Sequence, residues 1–259
     1  METATSTATT TAAHASGIHI SLVAEKIGDV LGLPVTNTLL MSWVVVVLLV
    51  VAGFLIGRGV RLVPSRIQTL FEMLFEFVYD YIAETLESRE MARKFLPLLV
   101  TIFLFIFTAN LLEFIPGVGS VGFAEEGGGF IPLFRSMNTD LNMTLALSII
   151  AFAVIEIMGV LTIGFWKYAG KFINFHSVMG FFIGLIDLVS EMARLISFSF
   201  RLFGNIFAGE VLIAVITFFV PYVLPVPLLL FEVFVGFIQA AIFALLTLFF
   251  IKLAIAEPH

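Results

Sequence analysis

The chain contains no cysteine, and this absence removes several classes of functional site at once. Without thiols there is no disulfide framework, no thiolate metal site and no cysteine nucleophile. The four histidines are dispersed and show no spacing typical of metal ligands. Neither HExxH nor GxSxG occurs, so the sequence does not indicate a membrane-embedded hydrolase. We therefore predict a protein that is not an enzyme and that holds no metal or cofactor.

Charged residues are also scarce. They make up 12% of the chain, whereas an ordinary soluble domain carries about 25%. Hydrophobic residues make up 60%, and the mean hydropathy is +1.12. This composition predicts an integral membrane protein whose main surroundings are a lipid bilayer. The formal net charge of -6 gives no support to nucleic acid binding.

Long apolar runs predict five membrane-spanning helices. The run at residues 39–56 carries no charge, and at 1.5 Å per residue it approaches the roughly 30 Å hydrocarbon core. The fourth run, at residues 173–220, would form a helix of about 70 Å, so it must be strongly tilted or bent. The sequence thus predicts an all-α polytopic membrane protein whose last two helices form a long, tilted hairpin. The other three predicted spans are residues 95–115, 141–166 and 228–254.

Residues 67–86 are amphipathic rather than continuously apolar. Acidic residues recur every four positions, which places them on one face of a helix. We predict a helix that lies on the membrane surface or against a protein partner, since an acidic face does not favour anionic headgroups. A plain connector between two spans is the alternative. The acidic residues are Glu72, Glu76, Asp80 and Glu84.

Basic residues predict the orientation of the chain. Arg58, Arg61 and Arg66 directly follow the first span, and the positive-inside rule places that end in the cytoplasm. The N-terminus is then outside, and five crossings leave the C-terminus in the cytoplasm. Residues 1–38 are predicted to be an external, largely disordered tail, and residues 39–259 a single transmembrane domain. No transit-type leader is recognisable, which favours a bacterial inner membrane.

Arg201 lies inside an uncharged stretch of the fourth span, and its guanidinium group stays protonated at any biological pH. Such a charge near the bilayer centre costs about 2.5 to 3.5 kcal/mol on insertion scales, so it must face protein or water. At 100° per residue, Ser197, Arg201 and Asn205 share one helix face, whereas Glu210 projects from the opposite one. Arg201 is predicted to meet a group on another polypeptide. The alternative is a buried acid of the same chain.

On the last span, Glu232 and Gln239 lie seven residues apart and project from one stripe. A titratable acid and an amide on one stripe suit a hydrated, proton-relaying path. Glu232 could also face Glu210 across the hairpin, where two carboxylates would share a proton. Gly204 and Gly209 on the fourth span permit close approach of another helix, or are ordinary packing glycines.

Further polar residues lie in or beside the third and fourth spans. Asp140, Asn142 and Glu156 could belong to the same path, although Asp140 and Asn142 equally resemble a helix start with its N-cap. Three charges on the fourth span, spaced at i, i+4 and i+7, predict an ion-pair strip or a wet surface. These three are Asp187, Glu191 and Arg194.

The run Arg201-Leu202-Phe203-Gly204-Asn205, followed by Ala208-Gly209-Glu210, resembles the signature of subunit a of the F-type ATP synthases. The last helix, with Glu232 and Gln239, is similar to the partner helix in that family. Weaker similarity covers residues 110–116 and 140–145. The resemblance therefore extends over nearly all of residues 39–259 and leaves out the N-terminal tail.

This resemblance implies a membrane stator beside a rotating ring of c subunits, in contact with peripheral-stalk b-type subunits. It implies two offset aqueous half-channels that meet the ring near Arg201, which blocks a direct proton leak. Many bacterial relatives have histidine at the position of Glu232. Ser197, Arg201 and Asn205 would face the ring. Protons would reach a ring carboxylate from the outer side past Glu210, Glu232, Gln239, Asp140, Asn142 and Glu156.

A different class of function is an independent secondary antiporter in which Arg201 binds an anionic substrate. Such transporters commonly contain internal repeats with paired, broken helices, and no repeat of that kind is visible in the sequence. A stator requires a ring of small helical hairpins as its partner, whereas a transporter works alone. Co-purification therefore separates the two classes.

Overall fold

The computed structural model of the chain describes residues 24–30, 33–61, 63–115, 118, 121–124, 130–172 and 178–255. Within these ranges the protein is helical apart from two short two-stranded sheets. The strands are β1 (Lys26–Val30), β2 (Leu33–Thr36), β3 (Gly122–Ala124) and β4 (Phe130–Pro132), and a 3-10 turn covers Met137–Thr139. The helices are α1 (Asn37–Gly59), α2 (Arg66–Leu86), α3 (Arg89–Glu113), α4 (Leu141–Ile163), α5 (Phe165–Phe172), α6 (Val178–Phe219) and α7 (Pro225–Ile255).

Five of these helices are long and apolar enough to cross a membrane, which confirms the predicted number of spans. They are α1, α3, α4, α6 and α7. The start of α3 lies earlier than predicted because Ser88 caps its first turn, accepting a hydrogen bond from the backbone N–H of Met91 at 3.3 Å. The chain is therefore an integral membrane protein of the all-α class.

The helix that carries Arg201 is 42 residues long, which corresponds to about 63 Å at 1.5 Å per residue. This length confirms the prediction of one exceptionally long helix. Residues 173–177, where it was predicted to begin, lie outside the described residues. Pro225 starts α7, where a proline costs little because the first helical N–H groups have no partner within the helix.

The predicted third span is too long at its C-terminal end. The helix α4 stops at Ile163 because Gly164 adopts a φ of +91°, a backbone conformation that favours glycine. The short helix α5 then starts in a new direction. Its Trp166 is 85% exposed, whereas its Tyr168 is buried.

The amphipathic segment forms α2, as predicted, and Ser65 caps it. Its C-terminal end packs against α3 and α7, where Ile82 and Leu86 join one buried cluster with Phe95 and Ile251. The N-terminal half of α2 exposes apolar side chains instead. This half presents Ile67, Leu70, Met73, Leu74 and Phe77 to the surroundings.

Residues 26–30 and 33–36, which belong to the tail predicted to be largely disordered, form strands. Here β1 and β2 pair as an antiparallel hairpin, with Gly28 opposite Val35. The hairpin leads directly into α1, whose Asn37 and Thr38 are completely buried. Tertiary contacts order this segment, since the side-chain amide of Asn37 donates to the backbone oxygen of Pro132 at 3.3 Å. Residues 1–23 lie outside the described residues.

The buried side chains form three clusters along the helical bundle. One joins α2, α3 and α7, and another joins α1 to the end of α3 that carries Glu113. Between them, α3, α4, α6 and α7 contribute a third cluster, which we call the apolar layer. Its members are Ile102, Ile106, Ala151, Phe198, Leu202, Ala240 and Phe243.

Candidate functional site

Arg201 lies on the partly open face of α6. Its guanidinium group donates to the hydroxyl of Ser197 at 3.2 Å, and this bond confirms that the two residues share a helix face. Ser197 and Ala208, one turn before and two turns after Arg201, are both exposed. None of the ion pairs formed among the described residues includes Arg201. Within the described part of the chain, its positive charge is therefore not neutralised by an ion pair.

Asn205 and Gln239 link the two long helices. The side-chain amide of Asn205 donates to the side-chain oxygen of Gln239 at 2.7 Å. Gln239 is buried, with 3% of its surface exposed. The structure thus brings together two of the predicted site residues, one from α6 and one from α7.

Glu210 interacts with a residue that the sequence analysis did not select. A guanidinium nitrogen of Arg135 lies 3.6 Å from the Oε2 atom of Glu210. Arg135 is only 8% exposed, although it lies in the loop that follows β4. The loop that follows β4 therefore places a permanent positive charge against the acid of α6.

Glu113, the last residue of α3, completes a group of charges around Glu210. Its carboxyl group lies near Ser136 and within electrostatic range of Arg135, Glu210 and Glu232. We call Glu113, Arg135, Glu210 and Glu232 the Glu210 cluster. Three carboxyl groups and one guanidinium group thus come together from α3, the loop that follows β4, α6 and α7.

The predicted direct pairing of Glu210 with Glu232 is not the arrangement found. No hydrogen bond joins them in the described part of the chain, where Glu210 faces Arg135. The carboxyl group of Glu232 lies instead against the backbone of Gly209, and an ideal Cβ atom built on this glycine would overlap it. Gly209 therefore makes room for a functional side chain. A Cβ at Gly204 would meet nothing within 4 Å, so that position is open in this chain.

A chain of buried amides lies beside the Glu210 cluster. Asn138 donates to the side-chain oxygen of Asn110 at 2.6 Å, and Asn110 donates to the backbone oxygen of Gly236 at 3.0 Å. Asn138 and Asn110 are 0% and 1% exposed. The sequence analysis gave them no role, although an amide inside an apolar span is the signal that points to Asn110.

Asp140 has the geometry of an N-cap. Its Oδ1 atom accepts from the backbone N–H of Asn142 at 3.0 Å, at the first turn of α4. Its Oδ2 atom accepts from the hydroxyl of Thr38 at 3.0 Å. The helix-start interpretation of Asp140 and Asn142 is therefore confirmed. Asp140 also anchors the first turn of α1, which the sequence did not predict.

Glu156 lies apart from the Glu210 cluster, because it is 15 residues into α4. The hydroxyl of Tyr168 on α5 donates to its Oε2 atom at 2.9 Å. Burial, followed by this hydrogen bond, raises the pKa of Tyr168 above its ordinary value, so the phenol remains a donor at neutral pH. Glu191 and Arg194 form the predicted ion pair at 2.7 Å and lie within electrostatic range of Tyr168. We call these four residues the Glu156 cluster.

Comparison with known proteins agrees with this arrangement. The profile of the family described as ATP synthase A chain matches residues 39–252, which include the site residues of α3, α4, α6 and α7. The chain belongs to the ATP synthase A chain family. A protein named ATP synthase subunit a from Campylobacter jejuni is 33% identical over 203 residues, covering 78% of this chain and 83% of the relative.

Two further members of the ATP synthase A chain family extend the comparison. The ATP synthase subunit a of Moorella thermoacetica is 30% identical over 219 residues, covering 85% of this chain and 90% of the relative. That of Mycobacterium marinum is 35% identical over 237 residues, covering 88% of this chain and 92% of the relative. The family match begins after Thr38, so the residues that hold Asp140 from the N-terminal side lie outside the matched range.

Proposed function

We propose that this chain is the proton-translocating stator subunit of an F-type ATP synthase and that Arg201 prevents a direct proton leak beside the ring of c subunits. The observation that carries this proposal is the partly open guanidinium group of Arg201 on a membrane-spanning helix, with Ser197 as a neutral neighbour. A charge in that position requires an anion or water. A carboxylate on a ring subunit supplies the anion.

The Glu210 cluster supports the path by which protons reach the ring. Glu113, Glu210 and Glu232 are titratable groups around one fixed charge, Arg135. Gln239 and Asn205 continue from Glu232 along α7 and α6 towards Arg201. We assign Glu210, Glu232, Gln239 and Asn205 to the outer half-channel and add Glu113 and Arg135. Asp140 and Asn142 shape its wall at the start of α4.

Glu156 belongs to the opposite half of the membrane in this proposal. It sits nearer the C-terminal end of α4, together with Tyr168, Glu191 and Arg194. We therefore assign Glu156 to the half-channel through which protons leave, and not to the outer half-channel that the resemblance implied. The chain itself performs no bond-making chemistry, and the ATP chemistry belongs to other subunits of the complex.

The energies involved are compatible with such a gate. An opposite charge within about 4 to 6 Å lowers the pKa of a carboxyl group by about 1 to 3 units. At 1.36 kcal/mol per unit, this is about 1.4 to 4 kcal/mol, comparable with the roughly 2.3 kcal/mol that 100 mV supplies per charge. The attraction can therefore hold a ring carboxylate in its ionised form without exceeding the driving force that releases it.

The surroundings of the chain follow from the same proposal. The ring lies on the face of α6 that carries Ser197, Arg201 and Ala208, and the exposed apolar half of α2 contacts lipid or the peripheral-stalk b-type subunits. The arginines that follow α1 face the cytoplasm, so the N-terminus is outside and the C-terminus inside. The membrane is a bacterial inner membrane.

Cross-linking tests the position of the ring. Because this chain has no native cysteine, a single introduced cysteine is the only thiol in it that can react. We expect Ser197→Cys and Ala208→Cys to form cross-links to a c subunit in native membranes, because both positions are exposed on the face of Arg201. Val47→Cys on α1, which is 61% exposed, is the control and should not reach the ring. Mass spectrometry of the adducts identifies the partner. Failure of both α6 positions to reach a c subunit would remove the stator assignment.

Glu210→Gln tests the outer path. The change removes a titratable group and its ion pair with Arg135, so we expect passive proton flux through the assembled complex to fall, with ATP-driven pumping slowed but not abolished. Glu84→Gln, at an exposed position on α2, is the control and should leave both rates unchanged. Both are measured in reconstituted vesicles with a pH-sensitive dye. Unchanged passive flux in Glu210→Gln would show that this acid is not on the path.

The antiporter alternative has one observation in its favour, since an open arginine could also bind an anionic substrate. It predicts that the purified chain transports an ion without any ring. The family match and the exposed stripe of α6 instead favour a subunit that works in a complex.

A further inference from the structure

The apolar layer lies between the two charged clusters on α6, the helix that carries members of both. On α6 the order is Asn205, then Leu202 and Phe198, then Arg194. On α4 it is Ser148, then Ala151, then Glu156. On α6 and α4, polar groups at two depths are thus separated by mostly apolar buried side chains. The same stretch of α6 also carries Arg201 on its partly open face and the buried Ser199, whose hydroxyl lies 3.2 Å from that of Thr144 on α4.

The other two helices show where the layer begins on the side of the Glu210 cluster. On α3, Asn110 and Glu113 are followed by Ile106 and Ile102, counted from the end near the Glu210 cluster. On α7, the buried amide of Gln239 is followed directly by Ala240 and Phe243. Asn110 and Gln239 are thus the last buried polar residues before the layer begins on α3 and α7.

The layer is tightly packed across the bundle. Leu202 and Ala240 are 0% exposed, and Phe243 is 2% exposed. The rings of Phe198 and Phe243 have centroids 4.8 Å apart, and Phe198 also contacts Phe250 edge-on at 5.5 Å. Close packing of this kind leaves little room for a continuous file of water molecules.

The thickness of the layer can be read from the helices. Eight residues separate Ser148 from Glu156, which is about 12 Å along α4. Five residues separate the buried Ser199 from Arg194, which is about 8 Å along α6. Moving a hydrated proton across such a distance of hydrocarbon is costly because the charge loses its solvation.

We infer that the apolar layer is an internal proton insulator that separates the two half-channels inside this chain. The inference rests on the proposed function and extends it. Arg201 prevents proton leakage along the surface between this chain and the ring. The apolar layer prevents proton leakage through the interior of the chain itself. Two leak routes therefore have two separate barriers, and damage to the layer opens a route that does not involve the ring.

The test introduces an amide into the layer and measures leak when the ring cannot carry protons. In complexes whose ring carboxylate is replaced by the corresponding amide, Phe243→Asn should raise passive proton flux into reconstituted vesicles by roughly tenfold. The reason is that a buried amide can hold water where a phenyl ring excludes it. Phe249→Asn is the matched control: it lies six residues further along α7, is 49% exposed, and should leave the flux unchanged.

Each result decides the inference. A leak in Phe243→Asn with the inactive ring supports it. Unchanged flux in an assembled complex overturns it, and so does a leak that appears only with the intact ring carboxylate, because that route runs through the ring. If Phe243→Asn does not assemble, Ile106→Thr decides, since the threonine hydroxyl can bond within its own helix. A smaller leak in Ile106→Thr supports the inference, and none overturns it.

The proposed function fails by a different measurement. If the complex with the native chain and native ring shows no ATP-driven proton pumping, the stator assignment is wrong whatever the leak of the Phe243 variant. If pumping is normal and the layer variants do not leak, only the insulator is wrong.

Discussion

Replacing Arg201 with alanine is expected to abolish ATP-driven proton pumping while leaving the complex assembled. The guanidinium group bonds only to Ser197 among the described side chains, so its removal leaves no buried carboxylate without its partner in this chain. In the proposed function, what disappears is the fixed charge that repels a proton between the two half-channels. Passive proton flux should therefore persist or rise while coupled transport stops.

The measurement combines pumping and passive leak in vesicles that contain equal amounts of complex. Arg201→Lys should also pump poorly, because a buried lysine can lose its proton whereas arginine does not. Arg58→Ala, at an exposed position at the end of α1, serves as the control and should pump normally. Retained pumping in Arg201→Ala would contradict the role of Arg201.

The second large effect is expected for Gly209→Ala. A Cβ atom at this position would overlap the carboxyl group of Glu232, which is 5% exposed, so the end of this side chain must shift away from Gly209. Overpacking of this kind costs about 1 to 3 kcal/mol and displaces the side chain. Because Glu232 belongs to the Glu210 cluster, we expect proton uptake and pumping to fall by about tenfold or more.

Gly53→Ala is the matched control for this substitution. Gly53 also lies in a membrane-spanning helix, and a Cβ atom there meets nothing within 4 Å. The pumping rate of this variant should equal that of the unaltered chain. The double variant Gly209→Ala with Glu232→Ala should be no slower than Glu232→Ala alone, because the colliding carboxyl group is gone. An additional loss would show that Gly209 acts through something other than Glu232.

The sequence predicted the parts of this structure that depend on local spacing. Five apolar runs became five spanning helices because a membrane helix must satisfy its backbone internally and is long enough to be recognised. The spacing of Ser197 and Arg201 predicted a shared face, and the hydrogen bond between them confirms it. Asp140 as an N-cap and the pair of Glu191 with Arg194 were likewise visible in short-range patterns.

The contacts that the sequence did not predict join distant segments. Arg135 reaches Glu210 across 75 positions, and Thr38 reaches Asp140 across 102. No local periodicity carries that information, so Arg135 was not among the predicted site residues. Glu232 was predicted to face Glu210 because the hairpin brings both helices together, but the choice between Glu210 and Gly209 as its neighbour depends on side-chain packing.

The buried and open faces of α6 limit insertions and deletions within this helix. Leu202 and Ile206, next to Arg201 and Asn205 in sequence, are buried, while Ser197 and Ala208 are open. A single inserted or deleted residue would turn everything beyond it by about 100°. Such a change would turn Arg201 towards apolar side chains and a leucine towards the face on which we propose that the ring of c subunits lies. Single substitutions elsewhere on the surface of α6 are therefore tolerated better than any change in the number of residues between its buried and open positions.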